Sequence, residues 1–215
     1  SERWKYATPV LNKIIEAIQK CTGTIKADLV VSLSSQQKFK DVAADLLKLC
    51  RDYKEHIIGI DITNEKDLPP TTFSREIEKT RGEIEFLTIH CMEVMGSERG
   101  WDALKLNPDR IGHGIRAVED PRLVEKLAEL KIPLEMCVQS NLVSGATKDI
   151  ANHPMRRLDQ AGVVLPVGSD GCNDGSTLAD NYALIQKSFG FTDADMNRFR
   201  NNSWKNAFRN LHKNK

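Results

Sequence analysis

The chain has 215 residues, 40 % of them hydrophobic, enough to bury a sizeable core, so a single domain over residues 1–215 is expected. With 31 basic and 30 acidic residues the formal charge is +1, which argues against nucleic acid or an anionic membrane as partner. No apolar run approaches the roughly 20 residues of a membrane helix, and five widely spaced cysteines without a Cys-x-x-Cys point to reduced thiols and a cytoplasmic setting.

Short β-rich apolar runs alternate with amphipathic stretches, the pattern of parallel strands covered by helices. Strands are predicted near residues 4–7, 28–33, 57–62, 85–89, 110–112, 133–137 and 163–168. Helices are predicted over 10–20, 38–53, 72–80, 100–106, 121–130, 154–160 and 177–188. In the second of these, Phe39, Val42, Ala43, Leu46, Leu47 and Cys50 recur at three and four residues, so one face packs inward. A helical tail over 192–212 follows as two short helices, 193–200 and 203–211. Thr192 opens the first as an N-cap, with Asp195 three residues later. Seven β/α units make this an α/β chain suited to a TIM-type (β/α) barrel, whose functional residues sit at the C-terminal ends of its strands. An open doubly wound sheet normally displays a Gly-rich phosphate turn after its first strand, and the sequence has none.

Three strand ends carry chemistry. The run Phe86-Leu-Thr-Ile-His-Cys-Met-Glu93 closes an apolar strand with His90 and places Glu93 three residues on. Arg110-Ile-Gly-His-Gly114 sets His113 between two glycines, and Pro166-Val-Gly-Ser-Asp170 brings Asp170 to a third strand end. Two imidazoles and two carboxylates at one barrel mouth can bind a divalent metal, activate water and pass a proton to a leaving group. Cys91 and Cys172 lie beside this group, but without a base partner they read as packing or loop residues.

These residues resemble the motifs of the adenosine deaminase family of metal-dependent aminohydrolases. His90-Cys-Met-Glu93 is similar to its His-Ala-Gly-Glu, Arg110-Ile-Gly-His-Gly114 to its Arg-Val/Ile-Gly-His-Gly, and Glu135-Met-Cys-Val-Gln-Ser-Asn141 to its Glu-x-Cys-Pro-x-Ser-Asn. His153-Pro154, Gly162-Val163 and Ser169-Asp170 follow in the family's order, and Asn201-Asn-Ser-Trp-Lys-Asn-Ala-Phe208 resembles its closing motif. The resemblance implies a TIM barrel that uses zinc to deaminate a 6-aminopurine, such as a purine nucleoside, to the 6-oxo product and ammonia. It implies His90 and Asp170 as metal ligands, Glu93 as proton donor to the purine ring, and His113 as the group that orients the attacking water. Asn64, Ser169 and Gly171 take the substrate-binding positions.

The sequence also departs from the pattern. The family's first strand carries a His-x-His pair that supplies two ligands, and this chain contains none. His56 precedes a strand at the end opposite the chemistry, while His153 and His212 fall in helical contexts; none replaces the missing pair, and His153 is expected to serve the fold only. Seven strands and 215 residues, against roughly 250 for a full barrel, imply an incomplete barrel lacking its first unit. Binding of zinc by this chain alone is therefore in doubt. A missing N-terminal segment, or self-association, is expected to complete it. The Asp pair of the family leaves two frames here, with either Asp170 or Ser169 at the ligand position. The alternative to an enzyme is a non-catalytic relative whose barrel mouth binds a nucleoside or a protein.

Overall fold

The computed structural model describes residues 7–21, 27–171 and 175–211. The first element is a helix, α1 (Ala7–Cys21), so the predicted strand at 4–7 lies outside the described residues except for Ala7, which is helical. Strands β1 (Leu29–Ser34), β2 (Ile57–Thr63), β3 (Phe86–Cys91), β4 (Arg110–His113) and β5 (Leu134–Glu135) then form one parallel sheet in sequence order. Helices α2 (Ala43–Asp52), α3 (Ser74–Thr80), α4 (Glu98–Leu104) and α5 (Pro121–Leu130) make the crossovers between them. After β5 come α6 (Val138–Val143), α7 (Met155–Gln160), α8 (Leu178–Phe189), α9 (Asp193–Lys205) and α10 (Phe208–Leu211).

The register divides the sheet into two chemical faces. Gly59 pairs with Phe86, Asp61 with Thr88, Thr88 with Arg110, His90 with Gly112, and Gly112 with Glu135, so these residues share one face. The intervening residues Ile60, Ile62, Leu87, Ile89, Ile111 and Leu134 are buried on the other face, in a core with Leu47, Ile77, Ala103, Leu123, Leu127 and Leu158 from the helices. Burial on that face is the main stabilising force. It also determines the register, because a slip of one residue would turn the isoleucines toward the polar face.

At the strand-entrance end the polar face is covered by α10. The Phe208 ring stacks on Phe86 with centroids 4.7 Å apart and planes 6° from parallel, and the Arg110 guanidinium lies 4.2 Å over its centroid. Gly59 makes the room, since a Cβ there would come within 3.3 Å of the Phe208 ring. At the β1 edge the same face is open: Val30, paired with Gly59, is 40 % exposed, and Ser32, paired with Asp61, is exposed. An apolar strand residue in solvent on what would be the interior of a barrel agrees with an incomplete barrel.

The predicted strand at 163–168 meets the sheet through a single parallel bridge, Met136 to Val167. Its carbonyls accept from β5 and from Met136, at Val164 (3.0 Å) and Pro166 (2.8 Å). Beyond that, Pro166 has no N–H to give, and Ser203 of α9 takes both backbone groups of Val167, donating to its carbonyl at 3.1 Å and accepting from its N–H at 2.8 Å. The backbone is thus satisfied by a side chain where a next strand would lie. The capping box at Thr192 and Asp195 forms as expected, but α9 runs on to Lys205 where the sequence pattern placed a break.

Candidate functional site

The C-terminal strand ends share an unusual backbone. Asn64 after β2, Met92 after β3, His113 at the end of β4 and Asp170 in the segment after Gly168 have φ of 69°, 60°, 61° and 57°. A left-handed residue other than glycine costs about 1–2 kcal/mol, and such strain gathers where a side chain must leave a strand at a fixed angle. Asn64 is exposed at this rim, and the Ser35 hydroxyl donates to its carbonyl.

His90 is oriented by a carboxylate on the neighbouring strand. Its Nδ1 lies 2.8 Å from Asp61 Oδ1, one strand away on the same face. A carboxylate can only accept, so Nδ1 carries the hydrogen and Nε2 keeps a free lone pair toward the mouth. Burial, the largest single influence, lowers the His90 pKa, but the Asp61 hydrogen bond and the charges of Asp61, Glu135 and Asp170 outweigh it and the net shift is upward. Glu135 is itself paired with Arg110 at 3.1 Å.

Glu93 stands on a loop fixed by another carboxylate. Buried Glu65 accepts from the backbone amides of Met92 (2.6 Å), Glu93 (3.0 Å), Val94 and Met95 (3.1 Å). Four converging N–H groups form an anion nest filled by the protein's own side chain. Glu93 Oε1 accepts from Asn141 Nδ2 and from the Ser144 hydroxyl, each at 3.0 Å. That leaves Oε2 as the oxygen able to carry and deliver a proton. His113 Nε2 lies 3.6 Å from it, and Asp170 Oδ2 is 4.0 Å from the same nitrogen. The His90 and His113 rings meet edge-on with centroids 5.2 Å apart.

Asp170 is held by the Ser140 hydroxyl, which donates to its Oδ2 at 2.6 Å, and by the Gly171 amide. Burial pushes its pKa up, but these hydrogen bonds and the two imidazoles prevail and the net shift is downward. Ser169 and Gly171 flank it. The structure thus brings His90, Glu93, His113 and Asp170 to one mouth, with Asn64 on the rim. A cavity of about 470 Å³ opens on the other side of Glu93, beside Arg116, Ser144 and Lys148. None of the other three residues lines it; they meet Glu93 from the polar face of the sheet.

The donor chemistry of His90 Nε2 and the Asp170 carboxylate suits a divalent cation, but two donors do not hold zinc alone. Among the described residues no group of three His, Cys, Asp or Glu side chains stands at metal-binding spacing. Cys91 and Cys137 are buried thiols whose pKa burial pushes up, which makes them packing residues rather than nucleophiles. Cys172 lies outside the described residues.

Sequence reasoning passed over Asp61, Glu65, Ser140, Asn141 and Ser144. Three of them, Asp61 in Asp61-Ile-Thr-Asn64 and Ser140 and Asn141 in Glu135–Asn141, were visible only as part of a motif. Ser140 and Asn141 act because α6, a short helix without apolar periodicity, turns them toward the strand ends. His153, expected to serve only the fold, lies buried with Nε2 3.3 Å from Asn141 Oδ1.

Comparisons with known proteins bear on the family and the fold. The family model for adenosine deaminase matches residues 6–215. The chain is 45 % identical over 124 residues to the adenine deaminase of Rhizobium leguminosarum, covering 57 % of this chain and 38 % of that protein. It is 29 % identical over 184 residues to the adenosine deaminase of Shewanella loihica, covering 83 % and 55 %. The chain therefore spans about half or less of the length of these relatives. The crystal structure of adenine deaminase from Arthrobacter aurescens superposes with a TM-score of 0.85 at 25 % identity, over 92 % of this chain and 62 % of that one. An amidohydrolase from Burkholderia ambifaria with bound zinc superposes with a TM-score of 0.81 at 25 % identity, over 91 % and 56 %. The chain belongs to the adenosine deaminase family.

Proposed function

We propose that this chain carries the proton-transfer side of a purine aminohydrolase site, which adds water at C6 of a 6-aminopurine and releases ammonia. The observation that carries this reading is the facing pair Glu93 Oε2 and His113 Nε2, 3.6 Å apart, with the far side of each group tied to the same Asn141 amide. Such a pair is set before substrate arrives, which is the condition for acid–base work to lower a barrier. As the C6–O bond forms, electron density moves to the adjacent ring nitrogen, and protonated Glu93 Oε2 delivers its proton there. His113 holds the incoming oxygen. The C6–N bond then breaks: the ring nitrogen keeps the proton from Glu93, one proton of the water goes to the amine, which leaves as ammonia, the other restores Glu93, and C6 is left as a carbonyl. Asn64, Ser169 and Gly171 are the rim positions where the purine would be held.

His90 Nε2 and the Asp170 carboxylate are the donors this chain offers to a divalent metal, zinc by kinship with the family. When bound, that metal would lower the pKa of water toward neutrality. A complete set needs donors beyond the described residues. That shortfall favours, as second reading, a relative that binds a purine without turning it over. Ammonia release from adenine and adenosine, measured with the metal content of the purified chain, separates the two. Turnover lost on chelation supports the enzyme, and purine binding without turnover supports the second reading. Failure to bind any 6-substituted purine would reject both.

A further inference from the structure

His153 has no part in the chemistry above, yet it is one hydrogen bond away from the amide that touches both Glu93 and His113. Burial lowers its pKa to about 4, so near neutral pH the ring is uncharged, with one donor and one acceptor nitrogen. The backbone decides which is which. The Met155 amide donates to His153 Nδ1 at 3.2 Å, so Nδ1 bears the lone pair and Nε2 the hydrogen. That Nε2–H meets the side chain of Asn141 at 3.3 Å and requires an acceptor, which fixes the Asn141 oxygen on this side. The Asn141 nitrogen is then turned the other way. Its two hydrogens meet Glu93 Oε1 at 3.0 Å and His113 Nδ1 at 3.1 Å. With Nδ1 accepting from Asn141, the hydrogen of the His113 ring is on Nε2, the nitrogen facing the carboxylates of Glu93 and Asp170 at 3.6 and 4.0 Å. Asn141 is fully buried and both imidazoles nearly so, so water does not compete for these bonds.

We propose that His153 is a positioning residue which, through Asn141, fixes His113 as the Nε2–H tautomer, so that His113 offers the mouth a hydrogen-bond donor and not a proton acceptor. The orientation follows from the hydrogen bonds alone; only its use at the oxygen entering C6 rests on the function proposed above. In that use His113 stabilises negative charge on the incoming oxygen, and the proton of the water passes to a carboxylate beside His113 Nε2, Asp170 or the Glu93 left ionised by its own proton transfer, and from there to the departing amine.

Nitrogen–proton correlation spectra of the isotope-labelled chain, recorded slightly above neutral pH without substrate, read each tautomer directly. Both His153 and His113 should show a pyrrole-type Nε2 and a pyridine-type Nδ1. A pyrrole-type Nδ1 on either ring overturns the relay, whatever the activity proves to be. His153→Gln retains an N–H donor toward Asn141 and should leave the His113 spectrum as it is. His153→Leu removes that donor, and in folded protein His113 should become a mixture of tautomers. An unchanged His113 in that variant would also overturn the proposal, and the wild-type spectrum still decides if the variant does not fold. Where turnover is measurable, His153→Leu should lower kcat with KM little changed and His153→Gln should restore it, a split that mere loss of folded protein does not produce.

Discussion

Gly112 lies against the imidazole of His90 so closely that a Cβ at this position would come within 2.9 Å of the ring. The two residues are register partners on β3 and β4, so the glycine makes room for the neighbouring strand's side chain. Gly112→Ala should push His90 off Asp61 while the hydrophobic face is untouched. The expected stability loss is about 1–3 kcal/mol, with loss of the raised His90 pKa in a proton titration by magnetic resonance. An unshifted His90 titration would contradict this account of the glycine.

Glu65 should matter more than its distance from the reacting atoms suggests. Its carboxylate is the acceptor for four consecutive amides, Met92 to Met95. Glu65→Ala leaves buried donors unpaired, at about 1–3 kcal/mol for each group left dry, tempered by water entering the gap. Hydrogen exchange at residues 92–95 should accelerate well before exchange in β3. Equal protection in variant and parent would show that the loop holds itself.

Burial of neutral His153 gives stability a pH dependence whose sign is determined. The folded chain holds this ring at a pKa of about 4 against an ordinary value of 6.5, so the unfolded chain binds the extra proton first as pH falls. The contribution is fully present above 6.5 and is lost between there and 4, by about 3 kcal/mol. Urea midpoints across that range should fall less steeply in His153→Gln than in the parent, and parallel curves would sink the assignment.

Glu93→Gln should keep purine binding and lose turnover. The amide still donates to the ring nitrogen but cannot give up a proton, a loss on the order of 10²–10⁴ in rate. The chain as it stands, with two donors for a metal, should release ammonia slowly or not at all, and added zinc should not rescue it. Robust, chelator-sensitive turnover by this chain would show that further ligands exist. Equal rates for Glu93→Gln and the parent would remove Glu93 from the chemistry.

The parts of the fold and site legible in the sequence were those written locally. His90, Glu93 and His113 sit in apolar strand endings whose period and glycines can be read from neighbours alone, and α5 runs over the predicted residues 121–130 because Asp120 caps it and Pro121 begins it. Other parts depend on distant partners. Glu65 binds backbone amides 27 to 30 positions away, a role no side-chain pattern records. Asp61 gains its meaning from the β2–β3 register. Residues 163–168 have the composition of a strand, but Pro166 and the Ser203 side chain leave them a single bridge.

Met92 shows what the left-handed strand ends demand of a sequence. Its φ of 60° favours glycine or asparagine, while its fully buried side chain packs against Gly100 in the core. Glycine would leave a void, asparagine would put an unpaired amide in an apolar pocket, and a β-branched residue would clash with its own backbone. An unbranched thioether meets both demands, filling the space beside Gly100 from a backbone angle that the glycine at this place in the family's motif takes without strain, so Met92→Gly should relieve the backbone while opening a void against Gly100.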